Sequence, residues 1–283
     1  MEFLTPDRII SELENKAIFP FRALSPILGA IIKKNPPADE IYYLNSLKKK
    51  AEKYGAIIQE YKVDFSAEAG QAILELRSNP RVCGIIVLSD YGNANKGLRE
   101  MIPVRLDIDC CSSKALGHLI TSDSPIGYRL APCAPVAAYK YLEYENYDLA
   151  GKKIAVLGRS LRVGRPLGEI LCQRNGTVCI YHSKSGEINL SDYDVVITAM
   201  GKPKTLNKEY WKDGIEKTKY IIDIGIANDE NGNLSGDCDT QDFVDCDVKM
   251  TPVPGGIGKL TVTILFSKLF FQAAAMNGDV LNE

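Results

Sequence analysis

The residues with the clearest chemical spacing form a turn framed by glycines. Leu157-Gly158-Arg159-Ser160-Leu161-Arg162-Val163-Gly164-Arg165-Pro166 runs from an apolar, strand-like segment, KKIAVLG (152–158), into a helical one, VGRPLGEILCQRNG (163–176). Gly158 permits a tight turn and Gly164 close packing. The helix start offers unpaired N–H groups and the positive end of its dipole to a pyrophosphate. The pattern is Gly-x-Ser-x-x-Val-Gly rather than Gly-x-Gly-x-x-Gly. Its place between strand and helix is therefore what makes it a nucleotide turn, a packing turn being the alternative. The next apolar segment, TVCIYHS (177–183), ends in Tyr181-His182-Ser183-Lys184-Ser185. A site for an unphosphorylated ribose often has a carboxylate here, ~20 residues past the glycines. Hydroxyls and a cation stand in its place, with Arg159 in the turn, and these suit a 2′-phosphate. NADP is expected over NAD, although a solvated basic face would carry the same letters. A second candidate, TPVPGGIGKLTVT (251–263), sets two prolines and three glycines before a long apolar helix, either as a ligand-facing turn or as a stiff one.

These groups need a scaffold, and the chain has room for two domains: 283 residues at ~150 per domain. A net charge of −2, with 45% hydrophobic and 25% charged residues, is globular composition and excludes a polybasic nucleic-acid binder. Eight cysteines without a Cys-x-x-Cys pair read as buried, reduced thiols, and two histidines supply no zinc pattern. MEFLTPDRIISELENKA mixes acids into a helical period, unlike a secretory leader, so a cytoplasmic protein is expected. The stretch 257–276 carries Lys259 and Lys268 and reads as a core helix, not a membrane span. LGAII (28–32), a helix over 39–56, AIIQEYKV (56–63), a helix over 66–79 and VCGIIVLSD (82–90) alternate as in a parallel α/β sheet. A helix over 134–146 closes this series. A second, doubly wound series follows through DYDVVITAM (192–200) and KYIIDIGI (219–226).

With VLGRSLRVGRP (156–166), YHSKS (181–185), GKP (201–203), IIDIGI (221–226) and TPVPGGIG (251–258) in order, the chain resembles the bacterial bifunctional methylenetetrahydrofolate dehydrogenase/cyclohydrolase family over nearly its whole length. The resemblance implies an N-terminal α/β catalytic domain and a C-terminal Rossmann-like NADP-binding domain, with a cleft between them and the last helix returning to the first. The expected division is 1–146 with 259–283 for folate and 147–258 for NADP. A soluble homodimer acting on tetrahydrofolate derivatives in one-carbon metabolism is implied, with no nucleic-acid or membrane partner; helix and strand surfaces over 167–183 could pair the subunits. Gly158, Arg159, Ser160, Val163, Gly164, His182, Ser183 and Ile226 form the expected cofactor set. Tyr43, Asp109, Pro254, Gly255 and Gly256 form the substrate set: Asp109 would hold the pterin amino groups and Tyr43 would stack near the reacting carbon. Both have plainer alternatives, a solvated loop acid and a core tyrosine.

The departures bear on the second activity. The family pattern on this helix is Tyr-x-x-x-Lys, its lysine serving the cyclohydrolase step. Here Leu47 follows Tyr43 and Ser46 follows Tyr42, while Lys48 is turned away and Lys50 lies ~10 Å further along the axis. The family's Gln-Leu-Pro-Leu-Pro is Leu88-Ser89-Asp90-Tyr91-Gly92, and its Pro-Cys-Thr-Pro is Pro132-Cys133-Ala134-Pro135. Hydride loss from a carbon between two nitrogens needs mainly placement. Hydration and ring opening need proton transfers. The expectation is a retained dehydrogenase and a weak or lost cyclohydrolase. The alternatives are a full bifunctional enzyme using Lys48 or Lys50, a non-catalytic binding homologue, and a dehydrogenase of another pterin or other small substrate.

Overall fold

The computed structural model describes residues 1–122, 130–230 and 232–278. β1 (Glu2–Phe3) and α1 (Asp7–Leu13) open the chain. β2 (Ile27–Ile32), α2 (Ala38–Tyr54), β3 (Ile57–Lys62), α3 (Ser66–Ser78) and β4 (Val82–Val87) alternate, then α4 (Asn95–Met101) and α5 (Ser113–Thr121) follow. α6 (Cys133–Tyr144) leads into β5 (Lys153–Leu157), α7 (Gly164–Gln173), β6 (Thr177–Tyr181), β7 (Val195–Thr198) and β8 (Tyr220–Asp223). β9 (Ala227–Asn228) pairs antiparallel with β10 (Leu234–Ser235), and β11 (Lys249–Met250) and α8 (Ile257–Met276) complete the order.

Two compact units result. One comprises Ile10–Cys133 and the chain from Val262 onward; the other comprises Met1–Ile9 and Ala134–Thr261. In the first, a parallel sheet of order β3-β2-β4 forms because ILGAII and VCGIIV are apolar runs that can be covered on both faces. Ile31, Ile73, Leu76, Val82 and Ile85 pack there with almost no exposure. Acids in the first turn of α2, Asp39 and Glu40, complement its dipole, and the helix stops at Gly55.

In the second unit, six parallel strands take the order β1-β11-β8-β7-β5-β6. Crossing from β5 to β6 on one side and to β7 on the other places a topological switch at the carboxyl end of β5, where the Gly158 turn begins. The chain is thus a two-domain α/β protein whose last helix returns to the first unit. Its division differs from the expected 1–146 with 259–283 and 147–258 in three ways, the smallest being that residues 259–261 stay with the second unit. Residues 1–9 join the second unit because β1 adds to β11, a two-residue pairing too short to leave a period in the sequence. The helix α6 also joins that unit from Ala134 onward, twelve residues or so before its own end was expected to mark the boundary.

Over Ile257–Met276, α8 is long and apolar enough to cross a membrane by length and composition, yet 78% of that window is buried in the protein. The cysteines are all free. Five are buried as expected, but Cys111 and Cys179 are half-buried and Cys172 is exposed on α7.

Candidate functional site

In the second unit the turn after β5 is shaped by backbone contacts that leave no room for side chains. Gly158 sits at φ +134°, and a Cβ there would stand 2.5 Å from the Ala199 carbonyl oxygen. A Cβ on Gly164 would stand 1.9 Å from the Gly158 carbonyl oxygen, so strand end and helix start touch through backbone alone. Ser160 tightens the turn: its Oγ accepts from Val163 N–H at 3.1 Å and its carbonyl from Arg165 N–H at 3.1 Å. Arg159 and Ser160 are exposed, and α7 begins at Gly164 without a side-chain cap. Val163 and Arg165 N–H are taken up by Ser160 and Pro166 has none, so Gly164 N–H and the positive end of the helix dipole are what the helix start offers an anion. This is the cradle a dinucleotide requires, and the residues present fit one.

The end of β6 adds a second turn. Ser185 Oγ accepts from His182 N–H at 2.8 Å, and His182 Nδ1 accepts from Lys184 N–H at 3.1 Å. His182 thus orders the turn, while Ser183 and Lys184 are left exposed beside it. Ile226, 40% exposed just past β8, presents apolar surface to solvent as a ring-facing wall would.

Beneath these loops lies a pair of carboxylates to which the motif reading assigned no role. Asp237, 1% exposed, accepts from Thr198 Oγ1 at 2.6 Å, Met200 N–H at 2.6 Å and Lys202 N–H at 2.7 Å. Asp223, 2% exposed, accepts from Gly225 N–H at 3.0 Å, Asp237 N–H at 3.2 Å and Cys238 N–H at 2.9 Å. The Asp223 N–H donates in turn to Thr251 Oγ1 at 2.8 Å. The pair therefore ties together the three loops that carry GKP, IGI and TPVPGG. Burial, with the neighbouring Asp237 charge, pushes the Asp223 carboxyl up to about 6 despite its N–H donors. A carboxylate closing an otherwise apolar strand, IIDIGI, was the available signal. Pro254, Gly255 and Gly256 occupy the turn that enters α8, where Gly256 N–H donates to the Pro252 carbonyl at 2.8 Å.

In the first unit, Tyr43 is half-buried on α2, and Leu47, one turn on, is fully buried. Leu88, just beyond β4, is 7% exposed. Neither lysine proposed as a substitute is idle. Lys48 pairs with Glu60 at 2.5 Å, and Lys50 Nζ donates to Tyr54 OH at 2.7 Å and lies 3.4 Å from Glu14. Glu14 also accepts from Lys53 at 2.6 Å and Tyr54 OH at 2.7 Å; these donors hold its carboxyl below the usual range although burial opposes them. Ser89 is 3% exposed; it accepts from Lys33 N–H at 2.9 Å and donates to Glu40 on α2.

Asp109 is half-buried in a loop built by its neighbour Asp107, whose carboxylate accepts from Cys111 N–H at 3.2 Å and Ser112 N–H at 2.8 Å. The Asp109 Oδ1 accepts from Cys133 N–H at 3.4 Å and its Oδ2 from Cys111 Sγ at 3.4 Å. The structure thus gathers the Asp109 loop with the Pro132-Cys133 segment, and both with Lys268 of α8, a residue the sequence presented only as a charge interrupting an apolar run.

Residues 132–277 match the family described as tetrahydrofolate dehydrogenase/cyclohydrolase, NAD(P)-binding domain. The chain is 33% identical to the bifunctional protein FolD of Carboxydothermus hydrogenoformans over 97% of this chain and 96% of that one. Among solved structures it superposes on the bifunctional FolD methylenetetrahydrofolate dehydrogenase/cyclohydrolase of Campylobacter jejuni with TM-score 0.81 and 27% identity, covering 95% of each chain. It shares its fold with the Trypanosoma brucei methylenetetrahydrofolate dehydrogenase-cyclohydrolase complexed with NADP and an inhibitor, at TM-score 0.83 and 21% identity over 96% of this chain and 97% of that one. With the glycine cradle, the switch-point topology and these likenesses in agreement, the chain belongs to the tetrahydrofolate dehydrogenase/cyclohydrolase family.

Proposed function

We propose that the protein is an NADP-dependent 5,10-methylenetetrahydrofolate dehydrogenase whose methenyltetrahydrofolate cyclohydrolase step is weak or absent, acting in the cytoplasm as a homodimer. The observation that carries this is the contrast between an intact glycine cradle at Gly158 and Gly164 and a fully buried Leu47 where an amine is needed.

NADP, when bound, supplies the hydride acceptor. Gly158, Ser160, Val163 and Gly164 would hold its pyrophosphate against the start of α7, Arg159, His182 and Ser183 its 2′-phosphate side, and Ile226 the nicotinamide pocket. Asp109 would accept hydrogen bonds from the amino-bearing edge of the pterin. Tyr43 would pack beside the reacting carbon, and Pro254, Gly255 and Gly256 would face the folate. The substrate carbon loses a hydride while its two nitrogens share the positive charge that develops, so placement suffices and no side chain has to remove a proton. Hydrolysis of the methenyl product differs. Water must add, and a proton must leave it before the ring opens, which calls for a positioned base. Leu47 and Leu88 have no titratable atom, and Lys48 and Lys50 are engaged with Glu60, Glu14 and Tyr54.

The bifunctional naming of the relatives favours a second reading, with both steps present. Two assays on the purified protein separate them: NADPH formation from methylenetetrahydrofolate, and enzyme-dependent loss of methenyltetrahydrofolate. The expected result is turnover in the first and a rate near the uncatalysed one in the second. Robust hydrolysis would overturn the loss, and NADP binding without NADPH formation would indicate a non-catalytic homologue.

A further inference from the structure

Lys268 carries an ammonium into the interior of the first unit, where it is 6% exposed on a helix whose other buried positions are mostly apolar. It donates to the Ala131 carbonyl and lies 3.6 Å from Cys110 Sγ. Cys110 directly follows Asp109, and Ala131 stands two residues before Cys133, whose N–H donates to Asp109 Oδ1 at 3.4 Å and whose Sγ lies 3.5 Å from the Ile108 carbonyl. One side chain from α8 therefore fastens the two segments that hold the Asp109 carboxylate.

We propose that Lys268 is a positioning residue for the substrate site: it cross-links the Asp109 loop to the 131–133 segment and sets the carboxylate that grips the amino-bearing ring. The proposal rests on the assignment of Asp109 to the folate.

Electrostatics support the geometry. Burial pushes the Cys110 thiol up to about 11 and the Cys133 thiol well above its ordinary value, so both are neutral at physiological pH. Burial alone would lower the ammonium of Lys268, and with both thiols neutral the charge that opposes this is the Asp109 carboxylate. With the thiols protonated, Asp109 is the partner among these that balances the charge. A buried lysine so placed does more than fill space: methionine matches its length but can neither donate to Ala131 nor face a carboxylate.

The test is steady-state kinetics of the full chain, together with direct titration of folate binding, for wild type, Lys268→Met and Cys110→Ala. Losing a charge-assisted contact predicts a folate KM raised about tenfold in Lys268→Met, with kcat and the NADP KM within about threefold of wild type. Cys110→Ala removes one partner of the ammonium with little change of volume and is expected to raise the folate KM about threefold. A folded Lys268→Met whose folate KM stays within twofold of wild type, or whose folate and NADP KM rise together, overturns the proposal. If Lys268→Met does not fold, an unchanged folate KM in Cys110→Ala does the same. Wild type that neither binds nor oxidises the folate defeats the folate assignment itself and the proposal with it, a failure distinct from wild-type turnover with an unaltered variant.

Discussion

The turn after β5 and the inner side of α2 place chemistry by different means. The turn is made of backbone: Gly158 and Gly164 approach so closely that no other residue fits, and the groups offered to a phosphate are N–H groups present in any sequence. On α2 the groups that count are side-chain termini, and there Leu47 fills with methyls a place where the related pattern has an amine. A backbone site cannot be altered without breaking the turn. A side-chain site loses its chemistry through one substitution while the packing survives. A fold can therefore keep nucleotide binding and drop a proton-transfer step.

The largest expected effect comes from forcing a side chain into the turn. Gly164→Ala brings a Cβ to 1.9 Å from the Gly158 carbonyl oxygen, so strand and helix must separate. A loss of roughly 4 kcal/mol or more in stability is expected, with NADP binding abolished, read by thermal unfolding and by titration with NADPH. Tight NADPH binding by a folded Gly164→Ala protein would break the comparison at its nucleotide end.

Next comes the carboxylate pair under the same loops. Asp237→Ala strips the partner from the buried Thr198 Oγ1 and from the N–H groups of half-buried Met200 and exposed Lys202. A cost of about 3 kcal/mol is expected, seen as a lower denaturation midpoint together with weakened NADP binding. Asp223 adds a pH dependence of definite sign. Its folded pKa, about 6, lies above the ordinary aspartate value of 3.8, so the folded state holds the proton more tightly than the unfolded one. Stability from this group is complete below the ordinary value and falls as pH rises toward 6, by about 3 kcal/mol in all. Asp223→Asn should flatten that slope in melting curves taken from pH 4 to 7, at the expense of one backbone donor left facing an amide. A slope unchanged in Asp223→Asn would assign the titration elsewhere.

The two regions also differ in how far the sequence discloses them. The alternation from β2 to β4 is legible because LGAII and VCGIIVLSD are apolar throughout and flanked by helical periods. The nucleotide turn is legible because its geometry demands glycine, and that demand is local. The carboxylate pair is not: Asp223 and Asp237 are fourteen positions apart, and only the fold brings the N–H of one to the carboxylate of the other. Lys268 reads along the chain as an interruption of an apolar helix, since its partners lie more than a hundred residues earlier. The β1–β11 pairing was illegible for another reason, two residues being too few to show a period.

A smaller effect sharpens the choice of nucleotide. Ser183 is exposed at the turn that follows β6, and one charge-assisted hydrogen bond to a 2′-phosphate sets the scale. Ser183→Ala should raise the NADP KM about tenfold and leave the NAD KM nearly unchanged, measured side by side on the purified protein. Equal changes for both nucleotides would remove Ser183 from the 2′-phosphate contact.

The smallest effect expected is on hydrolysis in Lys50→Met, and its smallness is what makes it informative. Lys50 is the lysine on α2 that returns to the Tyr43 side, so a cyclohydrolase lacking an amine at position 47 would have to recruit it. Recruitment would mean leaving Tyr54 OH at 2.7 Å and Glu14 at 3.4 Å, and reaching back about one helical turn. Glu14 would still be held by Lys53 and Tyr54, so loss of Lys50 should cost only about 1 kcal/mol in unfolding free energy. Any hydrolysis of methenyltetrahydrofolate should therefore be the same, within twofold, in Lys50→Met and wild type. A clear wild-type rate that disappears in the variant would mean that α2 releases its lysine to the substrate, and the side-chain site would then have moved along the helix rather than been lost.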